Sequence, residues 1–248
     1  MSRAVRARIL ACMHTTTTDT LSIRLPSSSP LPSSTPLPSS KKGSSPWLVP
    51  LGLLALSVVP TLAGVVRFAE IVQGDVTAEN ARFLHAPISA VLHIVGANLF
   101  AIAGAFQVTS VLRTLHRRAH TWLGRVTLPL GYVTALSGLY MTATYPPAPE
   151  SGMGITIVRL VVVAAMLVFA VVGTRALVRR DYRAHGAWML RLYALGIGGG
   201  TQFFTHLPWF VVVGGIPPAD VSVALMAGGW IINVLVAESV IAKGRRAT

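Results

Sequence analysis

The chain has 248 residues, of which 52% are hydrophobic and only 12% charged, yet its net charge is +13. A soluble domain carries about 45–50% apolar and about 25% charged residues, so this composition excludes an ordinary soluble domain. The single cysteine, Cys12, excludes an internal disulfide framework and any cysteine-based zinc or iron–sulfur site.

Residues 1–46 stand apart from the rest. The start, MSRAVRARILACMH, is rich in arginine and free of acids, and Thr15–Pro46 is mostly Ser, Thr and Pro. Such a segment buries too little surface to offset its ordering entropy, which predicts a disordered tail. An organellar transit peptide or an upstream misassigned start codon are the alternatives for the same residues.

From Trp47 onward, apolar runs alternate with short polar breaks. A helix rises 1.5 Å per residue, so crossing about 30 Å of hydrocarbon takes roughly 20 apolar residues. Six runs meet that length: Trp47–Val66, Ala86–Val108, Leu123–Thr144, Ile155–Val178, Trp188–Val213 and Val221–Ala242. They are continuous rather than alternating, which selects helices over a barrel. Pro60, Pro129 and Pro208 fall in or near the ends of spans and predict local kinks. The expected fold is an all-α, polytopic bundle of six transmembrane helices over 47–243, with a basic C-terminal tail at 244–248.

The breaks set orientation. Arg113, Arg117, Arg118 and Arg125 lie between the second and third runs with no acid among them. Arg175, Arg179, Arg180, Arg183 and Arg191 lie around the break between the fourth and fifth, opposed only by Asp181, and Lys243, Arg245 and Arg246 follow the sixth. The other breaks carry Glu70, Asp75, Glu79, Glu150 and Asp220 against Arg67 and Arg82. This alternation is the positive-inside pattern and predicts both termini in the cytoplasm. The +13 is then a record of topology. It leaves no basic stripe for nucleic acid, and no aromatic-interleaved platform for bases is present.

The motifs of soluble chemistry are missing: no phosphate loop, no GxSxG elbow, no HExxH helix. Gly196-Ile-Gly-Gly-Gly-Thr-Gln202 lies inside an apolar run and follows no strand, so close helix packing explains it better than nucleotide binding. Gly96, Gly104, Gly131 and Gly138 read the same way.

Polar residues in a membrane interior are costly and point to function. His93 and His206 lie about six and seven residues inside the same end of antiparallel spans, roughly 10 Å deep by the helical rise. Two imidazoles at matched depth are what a bis-histidine haem needs. The plainer alternative is that each bonds separately to a neighbouring carbonyl, Thr or Gln. His120 and His185 form a second pair at the opposite face, where a further haem, or a metal held with His116, competes with ordinary interfacial histidines. His85 reads as a surface residue. Arg159 is placed to meet Glu150, Asp220 or a haem propionate. Glu238 is level with Arg191 and Arg125, which predicts an ion pair, with proton handling as the sharper alternative. Asn98, Gln107, Gln202 and Asn233 are expected to be interhelical glue.

Several motifs in order carry a resemblance. They are Leu92-His93-Ile94, Gly104-Ala-Phe-Gln107, Gly124-Arg125, Ala135-Leu-Ser-Gly-Leu-Tyr-Met141, His185-Gly-Ala-Trp-Met189, Arg191-Leu-Tyr-Ala194, Gly200-Thr-Gln202 and Gly229-Trp-Ile-Ile-Asn233 with Ala237-Glu238. Over residues 47–243 the chain resembles the bacterial multi-span proteins grouped as domain of unknown function 2306. The resemblance implies a polytopic helical membrane protein of the bacterial cell membrane and assigns no reaction. In outline the chain is also similar to cytochrome b561-type proteins, with histidines near both faces. There the ligands are spread over four helices, whereas here the fifth span supplies both His185 and His206, so one haem or none fits as well as two.

Three functions follow as expectations. The first is a b-type cytochrome that passes electrons to a redox partner or quinone, with haem b on His93 and His206, Arg159 at a propionate, and His120 with His185 an inner pair. The second is a transporter or channel for a small solute or proton, with Glu238, Arg191 and the glycine-rich fifth span along its path. The third is a non-catalytic membrane scaffold. Lipid is the one partner every version requires; oligomeric state is left open.

Overall fold

The computed structural model describes residues 45–146 and 152–246. Among them the backbone is helical, with no strand: α1 (Leu48–Gln73), α2 (Ala81–His85), α3 (Pro87–Gln107), α4 (Ser110–Leu115), α5 (Arg117–Thr144), α6 (Gly152–Val178), α7 (Tyr182–Gly196), α8 (Gly198–Val212) and α9 (Ala219–Arg246). The expected tail, with Cys12 and His14, lies outside the described residues except for its last two, and Glu150 lies outside them too.

Local chemistry sets the helix ends. Gly74 closes α1 in the left-handed conformation (φ 79°), donating its N–H to the Glu70 carbonyl. Pro87 opens α3, where a missing N–H costs nothing. Asp181 caps α7 by accepting from the Ala184 N–H at 2.9 Å. Pro60, Pro129 and Pro208 lie inside α1, α5 and α8. At the far end α9 continues through Arg246, so the described part of the expected C-terminal tail is helical.

Among the described residues four helices, α1, α3, α6 and α9, are long and apolar enough to cross a membrane. The expected third and fifth crossings correspond to α5 and to the α7–α8 pair. Helix α1 packs on α3, α3 on α5, α5 on α6, α6 on α9, α9 on α8, and α8 back on α1. Inside this ring stands α7, in contact with α3, α5, α6, α8 and α9, and its Leu192, Tyr193, Ala194 and Leu195 are all buried. The Tyr193 hydroxyl donates to the Ala101 carbonyl at 2.9 Å, and its ring covers Gly104 so closely that a Cβ there would collide with it.

The outward faces are apolar, and polar side chains are held inside among an apolar core. Leu62, Val65, Val168, Leu235 and Val236 are exposed, while Thr134, Ser137, Thr201 and Asn233 are buried. That distribution suits a hydrocarbon solvent, where the outer surface needs no polar atoms.

The fifth apolar run, expected as one continuous span, is broken at Ile197. Glycine is a poor helix former, and the run from Gly196 to Gly200 holds four of them. The break frees carbonyls at the end of α7, and α9 supplies their partners. Asn233 donates through Nδ2 to the Ala194 carbonyl at 3.0 Å, and Trp230 through Nε1 to the Leu195 carbonyl at 3.1 Å. Thr201, in the first turn of α8, donates to Asn233 Oδ1 at 2.7 Å. Asn233 therefore ties three helices together at the break. Its replacement by Leu leaves a buried carbonyl and hydroxyl unmatched, at a cost of about 1–3 kcal/mol. Thermal unfolding in nanodiscs is expected to show that loss for Asn233→Leu, whereas Ser239→Ala on the exposed face of α9 stays within about 0.5 kcal/mol of the parent.

Candidate functional site

A cavity of about 440 Å³ lies within the bundle, bordered by α1, α2, α3 and α5 through α9. Its floor is the break itself, Gly196, Ile197, Gly199 and Gly200, with apolar walls from Ala97, Ala101, Val162, Val163 and Met166. Glycine is required at Gly200 by close approach, because a Cβ there would strike the Leu56 carbonyl of α1.

The other end of the cavity lies where α1 and α5 finish and α3 and α6 begin. Here the lining is cationic and aromatic: Arg82, Phe83, Tyr145 and Arg159, with His93 below. The Tyr145 hydroxyl anchors this end by donating to the Ala86 carbonyl at 2.6 Å, with Ser89 Oγ 2.7 Å away. Arg82 places its guanidinium 4.7 Å from the Phe83 ring centroid, and Arg67 places its own 4.5 Å from the same centroid. Its Nε is buried without a hydrogen-bond partner. Burial first, and then Arg67, hold Arg82 below the usual guanidinium range. Arg67 itself is paired with Glu70. Arg159 has no hydrogen-bond or ion-pair partner among the described residues, Asp220 included, and the cation it feels is Arg82.

His93 is turned by α5. Its Nδ1 lies 3.1 Å from the Thr134 carbonyl and 3.2 Å from Ser137 Oγ. A carbonyl only accepts, so Nδ1 carries the proton and Nε2 keeps a lone pair. His206 has the same tautomer for the same reason, with Nδ1 2.7 Å from the Gln202 carbonyl of its own helix, and its ring stacks on Phe210. His93 lines the cavity and His206 does not. The structure thus gives each histidine its own local partner and does not bring the two to a shared cavity.

At the opposite end, His120 and His185 approach closely enough to interact electrostatically. His185 Nδ1 donates to the Gly173 carbonyl at 2.9 Å, and His120 Nδ1 is buried without a partner. Gln107 crosses from α3 to donate to the His120 carbonyl at 2.6 Å. Among the described residues no three His, Cys, Asp or Glu side chains converge to hold a metal, so His116 does not complete a site with His120 and His185. The expected ion pair does form. Arg191 donates to both oxygens of Glu238, at 2.5 and 2.8 Å, and stacks 4.6 Å over Trp188. Arg125 instead stacks over Trp122 at 4.6 Å. Neither Arg191 nor Glu238 lines the cavity.

Arg82 is the cavity residue that sequence reasoning missed. It reads there as one cation in an acidic loop; nothing local shows that α2 folds it over a cavity shared with Arg159.

In comparison with known proteins, residues 90–241 match the family described as "Predicted membrane protein (DUF2306)". No curated protein and no solved structure matches the chain, and the outline similarity to cytochrome b561-type proteins gains no support.

The Arg191–Glu238 fork joins α7 to α9 through two charge-assisted bonds, though Glu238 is partly exposed. A double-mutant cycle with Arg191→Met and Glu238→Gln is expected to give a coupling of about 1 kcal/mol in thermal stability, and a coupling near zero would show the pair idle.

Proposed function

The chain belongs to the DUF2306 family of membrane proteins, and on that premise we propose that it crosses the cytoplasmic membrane six times, with both termini inside, and receives a small solute in a cavity open toward the outer face. The six crossings are α1, α3, α5, α6, the α7–α8 pair and α9. Alternation of basic and acidic breaks supports the orientation. It puts Arg82, Arg159 and His93 in the outer half, and the Arg191–Glu238 pair at the inner end.

One observation carries the solute reading: the fifth helix is broken at Ile197, and the break lines the cavity. Non-helical backbone at membrane depth is tolerated where protein buries it or where it lines a polar cavity, and discontinuous helices mark substrate sites in many transporters. In a Cys12→Ser background, Ala97→Cys on the cavity wall is expected to react with 2-sulfonatoethyl methanethiosulfonate added outside intact cells. Val76→Cys should react too, and Arg179→Cys only after permeabilisation. Reaction at Val76→Cys with none at Ala97→Cys would close the cavity to the outside and end this reading.

A b-type haem on His93 and His206, with Arg159 at a propionate, is the second reading. Tautomer state favours it, since both rings donate Nδ1–H to carbonyls and keep an Nε2 lone pair, as metal-bound histidines do. The chemistry of the donors fits; their placement, with only His93 at the cavity, does not. Protein produced with ample haem is expected to lack a Soret band, and a band that shifts on dithionite reduction and disappears in His93→Ala would reverse the order of the two readings.

A further inference from the structure

We propose that the ligand of this cavity is an anionic amphiphile, a carboxylate or phosphate-type headgroup on a short hydrocarbon body, its head held by Arg82 and Arg159 and its body lying against the floor near the helix break. The proposal rests on the solute reading above and names its substrate class.

The two ends of the bundle treat arginine differently. Arg191 has a carboxylate in bidentate geometry. Arg159 has none among the described residues, and its cationic neighbour there is Arg82. Arg82 in turn shares the Phe83 ring with a second arginine and leaves a buried Nε–H unmatched. Both guanidinium groups are partly buried, and partial burial without a counter-ion is costly, with like charge adding to that cost. An anion seated between them offsets both terms at once. Guanidinium donors match planar carboxylate and phosphate oxygens, which sets the headgroup class. His93 Nε2 offers a lone pair rather than a donor, so it suits a hydroxyl beside the head rather than the charge itself.

The remainder of the lining sets the body of the ligand. Ala97, Ala101, Val162, Val163 and Met166 present hydrocarbon, while the nearby amide of Asn98 is committed to Thr61 and to the Ile94 carbonyl. A volume of about 440 Å³ is in the range of pockets for drug-sized molecules, which favours a free short-chain amphiphile over a two-chain lipid. The apolar walls also argue against inorganic anions, which would gain nothing from them.

Trp230 lines the floor and reports occupancy. In nanodiscs of uncharged lipid, 8-bromooctanoate is expected to quench tryptophan fluorescence saturably, and the saturable part should vanish in Trp230→Phe. Arg159→Gln is expected to weaken apparent affinity at least tenfold and Arg82→Gln several-fold, while Arg159→Lys, which keeps the charge, retains most of it. The uncharged 8-bromooctan-1-ol is expected to bind at least tenfold more weakly. Equal saturation by acid and alcohol would overturn the headgroup assignment and leave the solute reading standing. Unchanged affinity in a folded Arg159→Gln would overturn it as well. Saturable quenching by neither probe would remove the solute reading itself.

Discussion

In hydrocarbon, every backbone N–H and C=O must find a partner within the protein, and that requirement shapes this molecule more than any single contact. It explains why the described residues are helical and carry no open strand. It also dictates where a helix can be interrupted. The break at Ile197 falls at the end of the innermost element, where α1, α3 and α9 surround it and Trp230 and Asn233 take up the carbonyls it frees. The same interruption on α1 or α6, whose outer faces are apolar and exposed, would leave carbonyls with no partner.

Once the break is buried, the cavity follows from packing. Gly200 brings the backbone of α8 against Leu56 of α1, and Gly198 accepts the Trp230 ring of α9. These contacts bind α8 to α1 and α9, while α7 is held by α3 through Tyr193. The two halves of the fifth column thus share α9 but differ in their other neighbours, α1 for α8 and α3 for α7, and space remains above the point where they part. The charge distribution then gives the ends distinct characters. At one, Arg191 and Glu238 neutralise each other; at the other, Arg82 and Arg159 face the cavity without a described carboxylate. The first contact is architectural. Among the described residues the second is an electrostatic demand without a counter-ion, and it is the feature that most directly suggests a ligand.

Much of the architecture was legible in the sequence because hydropathy and helix length are local properties. The run Ala86–Val108 became Pro87–Gln107, and Val221–Ala242 lies within Ala219–Arg246. The pairing of Glu238 with Arg191 followed from depth alone, since a carboxylate in lipid must find a nearby cation. Asn233 and Gln107 were legible as glue for a similar reason. The break was not, because glycines inside an apolar run hardly change its hydropathy and are equally at home in close helix contacts. Matched depth was also a poor guide to the histidines. His93 and His206 sit at similar distances from their helix ends, but rotation about each helix axis decides which neighbour a ring meets, and one residue of offset turns a side chain by about 100°. Convergence of Arg82 with Arg159 was beyond a linear reading, since three helices separate α2 from α6 in sequence.

Hydrogen–deuterium exchange of the protein in nanodiscs tests the central claim most directly, by following the amides from Gly196 to Gly200. A helix break that floors a solute-accessible cavity should exchange markedly faster there than the flanking turns of α7 and α8. Protection through Gly196–Gly200 as strong as in the middle of α6 would contradict it, because the fifth column would then be an ordinary uninterrupted span.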